Sequence, residues 1–453
     1  MRVRAPAFYR RARIFLRREA WRRRIVFWCG GLCVGVAAVG LAIAANYVQA
    51  WFRDLVAHSP YLALVVTPVG LALSVWLMRR HFPGSGGSGI PQAIAARQFD
   101  DSAQRNKLLS LRIAVGKILL TLLGLLCGAS AGREGPTVQV GASVMHAVGR
   151  IWVGKHQGLI LAGSAAGIAA AFNTPLAGIV FAVEEMSRSF EPRNSGLVLT
   201  AIIVAGIASL AILGDYTYFG HTAARFTQLS DWAAVPICGI AGGLLGGLFS
   251  MIVVRMAAGF SGRAGTLLRG HPVIFAACCG LLVAGIGILS GGTTYGTGYD
   301  QAKQLLEGTG HVPQSFGILK FLATTLTTVS GIPGGIFSPS LSVGAGIGAN
   351  LAQLLPGTPT GAVILLGMVG YFAGVVQAPI TAFVIVLEMT DGHAMAVPVM
   401  LTAVIAYGTA RLIGTRPIYH ALSENFVPKH TTDGSRARPH ETARALPEAG
   451  NGS

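Results

Sequence analysis

The sequence predicts an all-α polytopic membrane protein built of two related halves, whose broken and re-entrant helices meet at a central anion site. Three observations carry this prediction: a chain too apolar for water, an internal repeat, and a set of Gly- and Pro-bearing loops that open apolar helices. Of the 453 residues, 52% are hydrophobic and 12% charged, against about 25% charged in an average soluble domain. The 61 glycines are about twice the usual share of ~7%. Such a chain lacks polar cover for a soluble surface of this size. A large soluble enzyme, a disordered chain and a uniformly basic nucleic-acid binder are excluded on that ground.

Apolar runs recur along the chain. Clear ones fall at 25–52, 61–78, 113–131, 158–183, 196–214, 232–259, 273–291, 361–376 and 396–414, with shorter ones at 138–153, 316–330, 340–355 and 379–387. A helix needs about 20 apolar residues to cross a bilayer. Several of these runs are shorter and are interrupted by Gly and Pro, so they read as helices that enter the membrane without crossing it. Such segments are tolerated only when packed inside protein or lining a cavity. The expected organisation is a basic cytoplasmic tail over 1–24, a first membrane half over 25–214, a connecting segment over 215–231, a second half over 232–419, and a polar, disordered cytoplasmic tail over 420–453.

Charge sets the orientation. The net charge is +17. Residues 1–24 hold ten arginines (Arg2, Arg4, Arg10, Arg11, Arg13, Arg17, Arg18, Arg22, Arg23 and Arg24) and one acid, Glu19, which is +9 in that segment alone. Basic flanks stay on the cytoplasmic side, so the N-terminus is expected inside, in contact with the lipid bilayer rather than with nucleic acid. The long apolar run after it lacks the form of a cleaved signal peptide. The six cysteines lie in apolar stretches with no CxxC pair and no Cys/His cluster of zinc spacing, so they read as packing residues. No metal and no cofactor is expected.

The repeat is explicit. GSAAGIAAAFNTPLAGIVFAVEEM (163–186) aligns with GMVGYFAGVVQAPITAFVIVLEMT (367–390), placing Asn173 on Gln377, Pro175 on Pro379 and Glu184 on Glu388 at an offset of 204. GREGPTVQVGA (132–142) aligns with GIFSPSLSVGA (335–345), placing Gly132 on Gly335 and Pro136 on Pro339 at an offset of 203. Transporters are often built this way, with the substrate at the repeat interface. The alignment does not say whether the halves are parallel or inverted.

Five loops end in a proline that opens an apolar helix: GSGIP (87–91), GREGP (132–136), FNTP (172–175), GIFSP (335–339) and QAP (377–379). A helix N-terminus offers free N–H groups and roughly half a positive charge, and several of them together make a site for a small anion. The plain alternative is that Gly and Pro only shape tight packing. Acids inside the apolar runs are Glu134, Glu184, Glu185 and Glu388. A charge in the bilayer core costs at least ~2.5 kcal/mol, which marks such residues as functional. Glu134 sits in an anion-friendly loop, where its own carboxylate can occupy the site and leave on protonation. Glu184 and Glu388 are repeat mates and read as structural. Glu185 faces Met389 in the repeat and is the candidate for a proton role. Lys117, Arg133 and Lys320 read as bases paired with acids or carbonyls.

GSGIP, GREGP and GIFSP, with AAAFNTPLAGIVFAVEEM and GTRPIY, resemble the signatures of the CLC chloride channel and transporter family, in the family's order, from about residue 60 to 422. The resemblance implies an all-α homodimer in a bacterial inner membrane, with two inverted halves per subunit, both termini cytoplasmic, and chloride and protons as the transported species. It implies that the filter is formed by Gly87, Ser88, Gly89, Ile90 and Pro91, by Gly132, Arg133, Glu134, Gly135 and Pro136, and by Gly335, Ile336, Phe337, Ser338 and Pro339. Within it, Ser88 and Tyr419 would offer hydroxyls to the anion, Ile336 and Phe337 backbone amides. Glu134 would be the external gate and Glu185 the internal proton acceptor. Both acids together resemble a proton-coupled antiporter, and serine at 88 resembles chloride-selective members. Gln92 and Ile94 depart from relatives that carry acids after GSGIP, so Lys117 is left without an assigned partner.

A passive chloride channel shares every feature except the coupling. An intramembrane serine protease is suggested by GGSG (86–89), but His146 and His393 lie in no supporting pattern for a general base. A membrane scaffold would not need the buried acids. No G-x-x-x-x-G-K-[ST] loop supports ATP-driven transport.

Overall fold

In a computed structural model, residues 18–152, 156–187, 195–214, 217–220, 222, 224–259 and 270–427 are described. The fold is helical throughout this range. Helix α1 spans Arg18–His58 and α2 Ala63–His81. Short helices α3 (Ile90–Gln98) and α4 (Ser102–Leu108) follow, then α5 (Leu111–Leu126), α6 (Glu134–Trp152), α7 (His156–Phe172), α8 (Pro175–Phe181) and α9 (Ser195–Leu213). The second half runs through α10 (Ala234–Ala258), α11 (Pro272–Leu289), α12 (Tyr299–Glu307), α13 (Phe316–Val329), α14 (Phe337–Ala352), α15 (Thr360–Val376), α16 (Pro379–Thr390) and α17 (Ala396–Leu412), and ends in α18 (Ile418–Ser423). Among the described residues, seven helical stretches are long and apolar enough to cross a membrane, from Trp21–His58 to His393–Leu412. Others, such as Phe316–Val329 and Pro379–Thr390, are apolar but shorter, as the Gly and Pro interruptions predict.

The halves match element by element: α1 with α10, α2 with α11, α3 with α12, α5 with α13, and α6 to α9 with α14 to α17. At the centre, Gly132 and Gly335 form an isolated antiparallel bridge. Gly132 N donates to Gly335 O at 2.7 Å, and Gly335 N to Gly132 O at 2.7 Å. These two residues are repeat mates, so reciprocal bonds between them put a local two-fold relation at this point. Side chains are excluded there. A Cβ on Gly132 would stand 3.0 Å from Pro339 Cδ, and one on Gly335 would stand 2.8 Å from Gly135 N.

The second reciprocal contact involves the repeat-related acids. Glu184 lies in the π-helical turn Ala182–Ser187 that continues α8. Its carboxylate accepts from Ile380 N at 3.1 Å and Thr381 N at 2.5 Å, at the start of α16. Glu388, on α16, accepts from Leu176 N at 3.1 Å and Ala177 N at 2.7 Å, at the start of α8. Each half thus caps a helix of the other. The turn into each capped helix also matches, with Asn173 at φ 57° and Gln377 at φ 56°. A left-handed residue at both positions reverses the chain between the paired helices.

Three boundaries shift from the sequence expectation. Helix α1 begins at Arg18, inside the segment expected as a tail, because arginine is a good helix former and carries its charge away from the apolar run; residues 1–17 lie outside the described residues. The segment expected as a tail from 420 begins as helix. Ala421 and Ser423 are buried, and Leu422, Phe426 and Val427 pack on the main core. The polar composition of 428–453, which lies outside the described residues, masks these apolar positions. Within the connecting segment, two aromatic residues are drawn into the core. Tyr218 and Phe219 are fully buried, and Phe219 N donates to Met389 O at 2.9 Å. Residues 215, 216, 221 and 223 of that segment lie outside the described residues.

The reciprocal caps yield a stability prediction. Glu184→Ala and Glu388→Ala should each lower stability by about 1 kcal/mol through loss of the cap, and by similar amounts because the two sites are alike. Thermal unfolding of the purified protein in detergent measures this. A Glu388→Ala midpoint equal to the parent's would show that α8 does not depend on its cap.

Candidate functional site

Four helix starts converge below the Gly132–Gly335 bridge: α3, α6, α14 and α18. Gly87, Ser88 and Gly89 lead into α3, with Ile90 and Pro91 in its first turn. Gly89 is the N-cap at φ 101°, and a Cβ there would meet Gln139 Cβ and the Gly135 carbonyl, both at 2.9 Å. Conformation and space both demand glycine. Gly132 and Arg133 lead into α6, which begins at Glu134 and carries Gly135 and Pro136 in its first turn. Gly335 and Ile336 lead into α14, which begins with Phe337, Ser338 and Pro339. Tyr419 is the second residue of α18. The structure therefore brings the sequence-predicted filter residues together around one centre.

Two hydroxyls meet at that centre, Ser88 Oγ and Tyr419 OH; both are buried, and apart from each other neither has a hydrogen-bond partner among the described residues. A buried polar atom in that condition is costly unless something else satisfies it. Both residues line a cavity of about 370 Å³ with Gly87, Pro91, Gln92 and Ile336. The Phe337 ring stacks on Tyr419 at 5.9 Å and 16°, which fixes the tyrosine.

On the other side lies a cavity of about 460 Å³ lined by Asn46, Gln49, Arg53, Arg133, Tyr218, Thr297, Tyr299 and Asp300. Arg133 is anchored, donating to Ala42 O at 2.6 Å and Asn46 Oδ1 at 2.7 Å, with its guanidinium 5.8 Å from the Tyr218 ring centroid. Arg53 pairs with Asp300. Glu134 is fully buried; its partner Tyr218 lines this cavity, and its neighbour Gly135 adjoins Ser88 of the other. Glu134 Oε1 accepts from Ser338 Oγ at 2.5 Å and from Tyr218 OH at 3.2 Å. A Cβ on Gly135 would sit 2.4 Å from Ser88 Oγ, so α6 can meet α3 only through glycine.

Glu185 sits apart, in the π turn, and is 3% exposed. The His420 ring Nε2 lies 2.9 Å from the Glu185 carbonyl oxygen and 3.7 Å from its Oε1. Tyr419 and His420, adjacent on α18, link the cavity that Tyr419 lines to the turn that carries Glu185. Two of the five expected anion loops do not contribute. The FNTP and QAP helix starts spend their amides on Glu388 and Glu184, so a fixed carboxylate already fills each.

Lys117 and Lys320 are buried and serve backbone carbonyls. Lys117 Nζ donates to Ser85 O at 2.8 Å and Gly87 O at 2.5 Å, with Gly86 O at 3.4 Å. Lys320 Nζ donates to Thr294 O at 2.9 Å and Gly296 O at 2.8 Å. The two lysines are 203 residues apart, the same offset as GREGP and GIFSP. The first holds the loop that enters α3, and the second holds its counterpart before α12. Gln92 supports the first loop as well, donating to Gly86 O at 2.5 Å; an acid at this position has no proton to give that carbonyl when ionised. Tyr218 and His420 were missed by sequence reasoning. The first was hidden in an apparent connector, the second in an apparent tail.

Residues 69–411 match the voltage gated chloride channel family. The chain belongs to this family. It is 31% identical over 428 residues to the H(+)/Cl(-) exchange transporter ClcA of Yersinia pestis bv. Antiqua (strain Angola), covering 86% of this chain and 85% of that protein. The ClcA of Yersinia pseudotuberculosis serotype O:3 (strain YPIII) matches to the same extent. Among solved structures, a slow cyanobacterial Cl-/H+ antiporter superposes with a TM-score of 0.78 at 27% identity, over 90% of this chain and 99% of that one. A CLC-type fluoride/proton antiporter superposes with a TM-score of 0.75 at 21% identity, over 93% of this chain and 99% of that one; that likeness shows the fold alone. The chain is thus a multi-pass membrane protein of the CLC family, an anion transporter and not an enzyme.

The lysine pair separates scaffold from anion site. Lys117→Met should strip the only amine from the carbonyls of the filter loop and cost roughly 2–3 kcal/mol, and it should also weaken anion binding. Lys320→Met should cost a similar amount of stability while leaving anion affinity as in the parent. Thermal unfolding and calorimetric chloride titration of the same samples measure both. Equal loss of affinity in the two variants would contradict the division of labour.

Proposed function

We propose that the chain is a proton-coupled chloride antiporter. What supports this reading is that the fold buries two acids, Glu134 and Glu185, together with the Ser88 and Tyr419 hydroxyls, which line one cavity. The relatives whose names print H+/Cl- exchange support it, as does serine in GSGIP. The anion is held by Ser88 and Tyr419 hydroxyls and by the backbone N–H groups of Ile336 and Phe337, where the helix ends favour negative charge. Ionised Glu134 competes for the same environment. Protonation removes its charge, releases it from the helix N-terminus and opens the path from the outer cavity. Glu185 does not take part in the anion site; it exchanges protons with the cytoplasmic side. The working form is a homodimer in a bacterial inner membrane, with both termini cytoplasmic and a basic N-terminal tail.

Reconstitution in liposomes with a chloride gradient, recorded with paired pH and chloride electrodes, tests the reading. The parent should move protons uphill. Glu134→Ala should pass chloride passively and with little response to pH. Glu185→Gln keeps shape and hydrogen bonding but carries no proton, so proton transport should stop while chloride flux continues. Ser88→Pro should raise nitrate flux relative to chloride and loosen the coupling. A parent that moves chloride but no protons is a passive channel, and the antiporter reading fails.

A further inference from the structure

The Glu134 carboxylate is held asymmetrically. Oε1 receives two hydroxyls, Ser338 Oγ at 2.5 Å and Tyr218 OH at 3.2 Å, and these hydroxyls lie 3.3 Å from each other. Oε2 has no hydrogen bond among the described residues and faces the space that a Cβ on Gly132 would fill. All three side chains are buried. The Tyr218 ring is fixed edge-on against Phe172, Phe219 and Tyr299 at centroid distances of 5.4, 5.0 and 4.9 Å. The phenol is therefore a rigid donor delivered from the connector, and the serine a donor delivered from the opposite half.

We propose that Tyr218 and Ser338 form a two-hydroxyl clamp that positions ionised Glu134 in the filter and sets the pH at which the gate opens. The clamp rests on the reading of Glu134 as a titratable gate. An O–H···O⁻ bond near 2.5–2.7 Å is the charge-assisted kind, and donors aimed at a carboxylate favour its ionised form. The bare Oε2 is where a proton settles without displacing either donor. Protonation then weakens Oε1 as an acceptor, and the side chain is free to leave. The charged or titratable groups facing Glu134 are Arg133 on its own loop, Tyr218 with Tyr299 behind it, and Tyr419 across the filter. Arginine stays charged, and phenols titrate at about 10, so neither changes charge over the acidic range of the test.

The sign follows. Chloride flux rises as falling pH protonates the gate. Removing a donor makes the carboxylate keep its proton at higher pH, so the whole profile moves upward. Tyr218→Phe retains the ring contacts and deletes only the hydroxyl. Ser338→Ala deletes the other donor from a different helix and covers the case in which Tyr218→Phe fails to fold. In liposome chloride efflux, each variant should shift the pH of half-maximal flux up by about one unit. In a Glu134→Gln background, adding Tyr218→Phe should change nothing, because no titrating carboxylate remains to be held. Profiles of Tyr218→Phe and Ser338→Ala superimposed on that of a pH-responsive parent overturn the clamp alone. A shift that persists in the Glu134→Gln background also overturns it, by assigning the effect to packing. A parent whose flux ignores pH overturns the gate reading, and the clamp with it.

Discussion

Two backbone hydrogen bonds between Gly132 and Gly335 join the two halves at the centre of this molecule, and the helix starts of α6 and α14 are positioned by them. At membrane depth, backbone that leaves a helix must find its partners inside the protein. Here the two chain breaks satisfy each other, one from each half. Neither residue can carry a side chain, because the adjoining prolines and amides occupy that space. With the carbonyls and amides of residues 132 and 335 consumed by each other, the starts of α6 and α14 are brought beside Ser88 and Tyr419.

The same device, a carboxylate on a helix N-terminus, is used in two ways. Glu184 and Glu388 seal α16 and α8, with bidentate contacts to two consecutive amides each. Glu134 is the first residue of its own helix and is held by hydroxyls instead. Hydroxyls on a single oxygen are easier to release than two amides on two oxygens. Glu184 and Glu388 thus differ from Glu134 in how their carboxylates are tied. Lysine is used alike in both halves: Lys117 stiffens the loop before α3, and Lys320 its counterpart before α12.

The sequence was most legible where chemistry is carried by backbone. Gly–Pro loops and an internal repeat announce broken helices, because few other arrangements need those residues. The pairing of Glu184 with Glu388 as structural acids was legible from the repeat alone, although their targets were not, since a cap partner more than two hundred residues away leaves no local pattern. The equivalence of Lys117 and Lys320 stood in plain view at the offset already found. Tyr218 could not be found, because the short aromatic cluster in DYTYFG gives no periodicity, and its burial comes from Phe172, Phe219 and Tyr299 closing around it. His420 was lost to composition. One short apolar turn, α18, is followed by a polar stretch that outweighs it in any window.

The exchange of caps between halves bears on how the chain is made. Leu176 and Ala177 emerge from the ribosome more than two hundred residues before Glu388, the group that satisfies them, with separations of 212 and 211. At about 5–20 residues per second, that gap lasts roughly 10 to 40 seconds. During that time the first half is already in or at the bilayer with the start of α8 open. Its native geometry cannot be completed one half at a time. Membrane insertion and final folding are therefore separate events for this protein, and the second is timed by the arrival of a single glutamate.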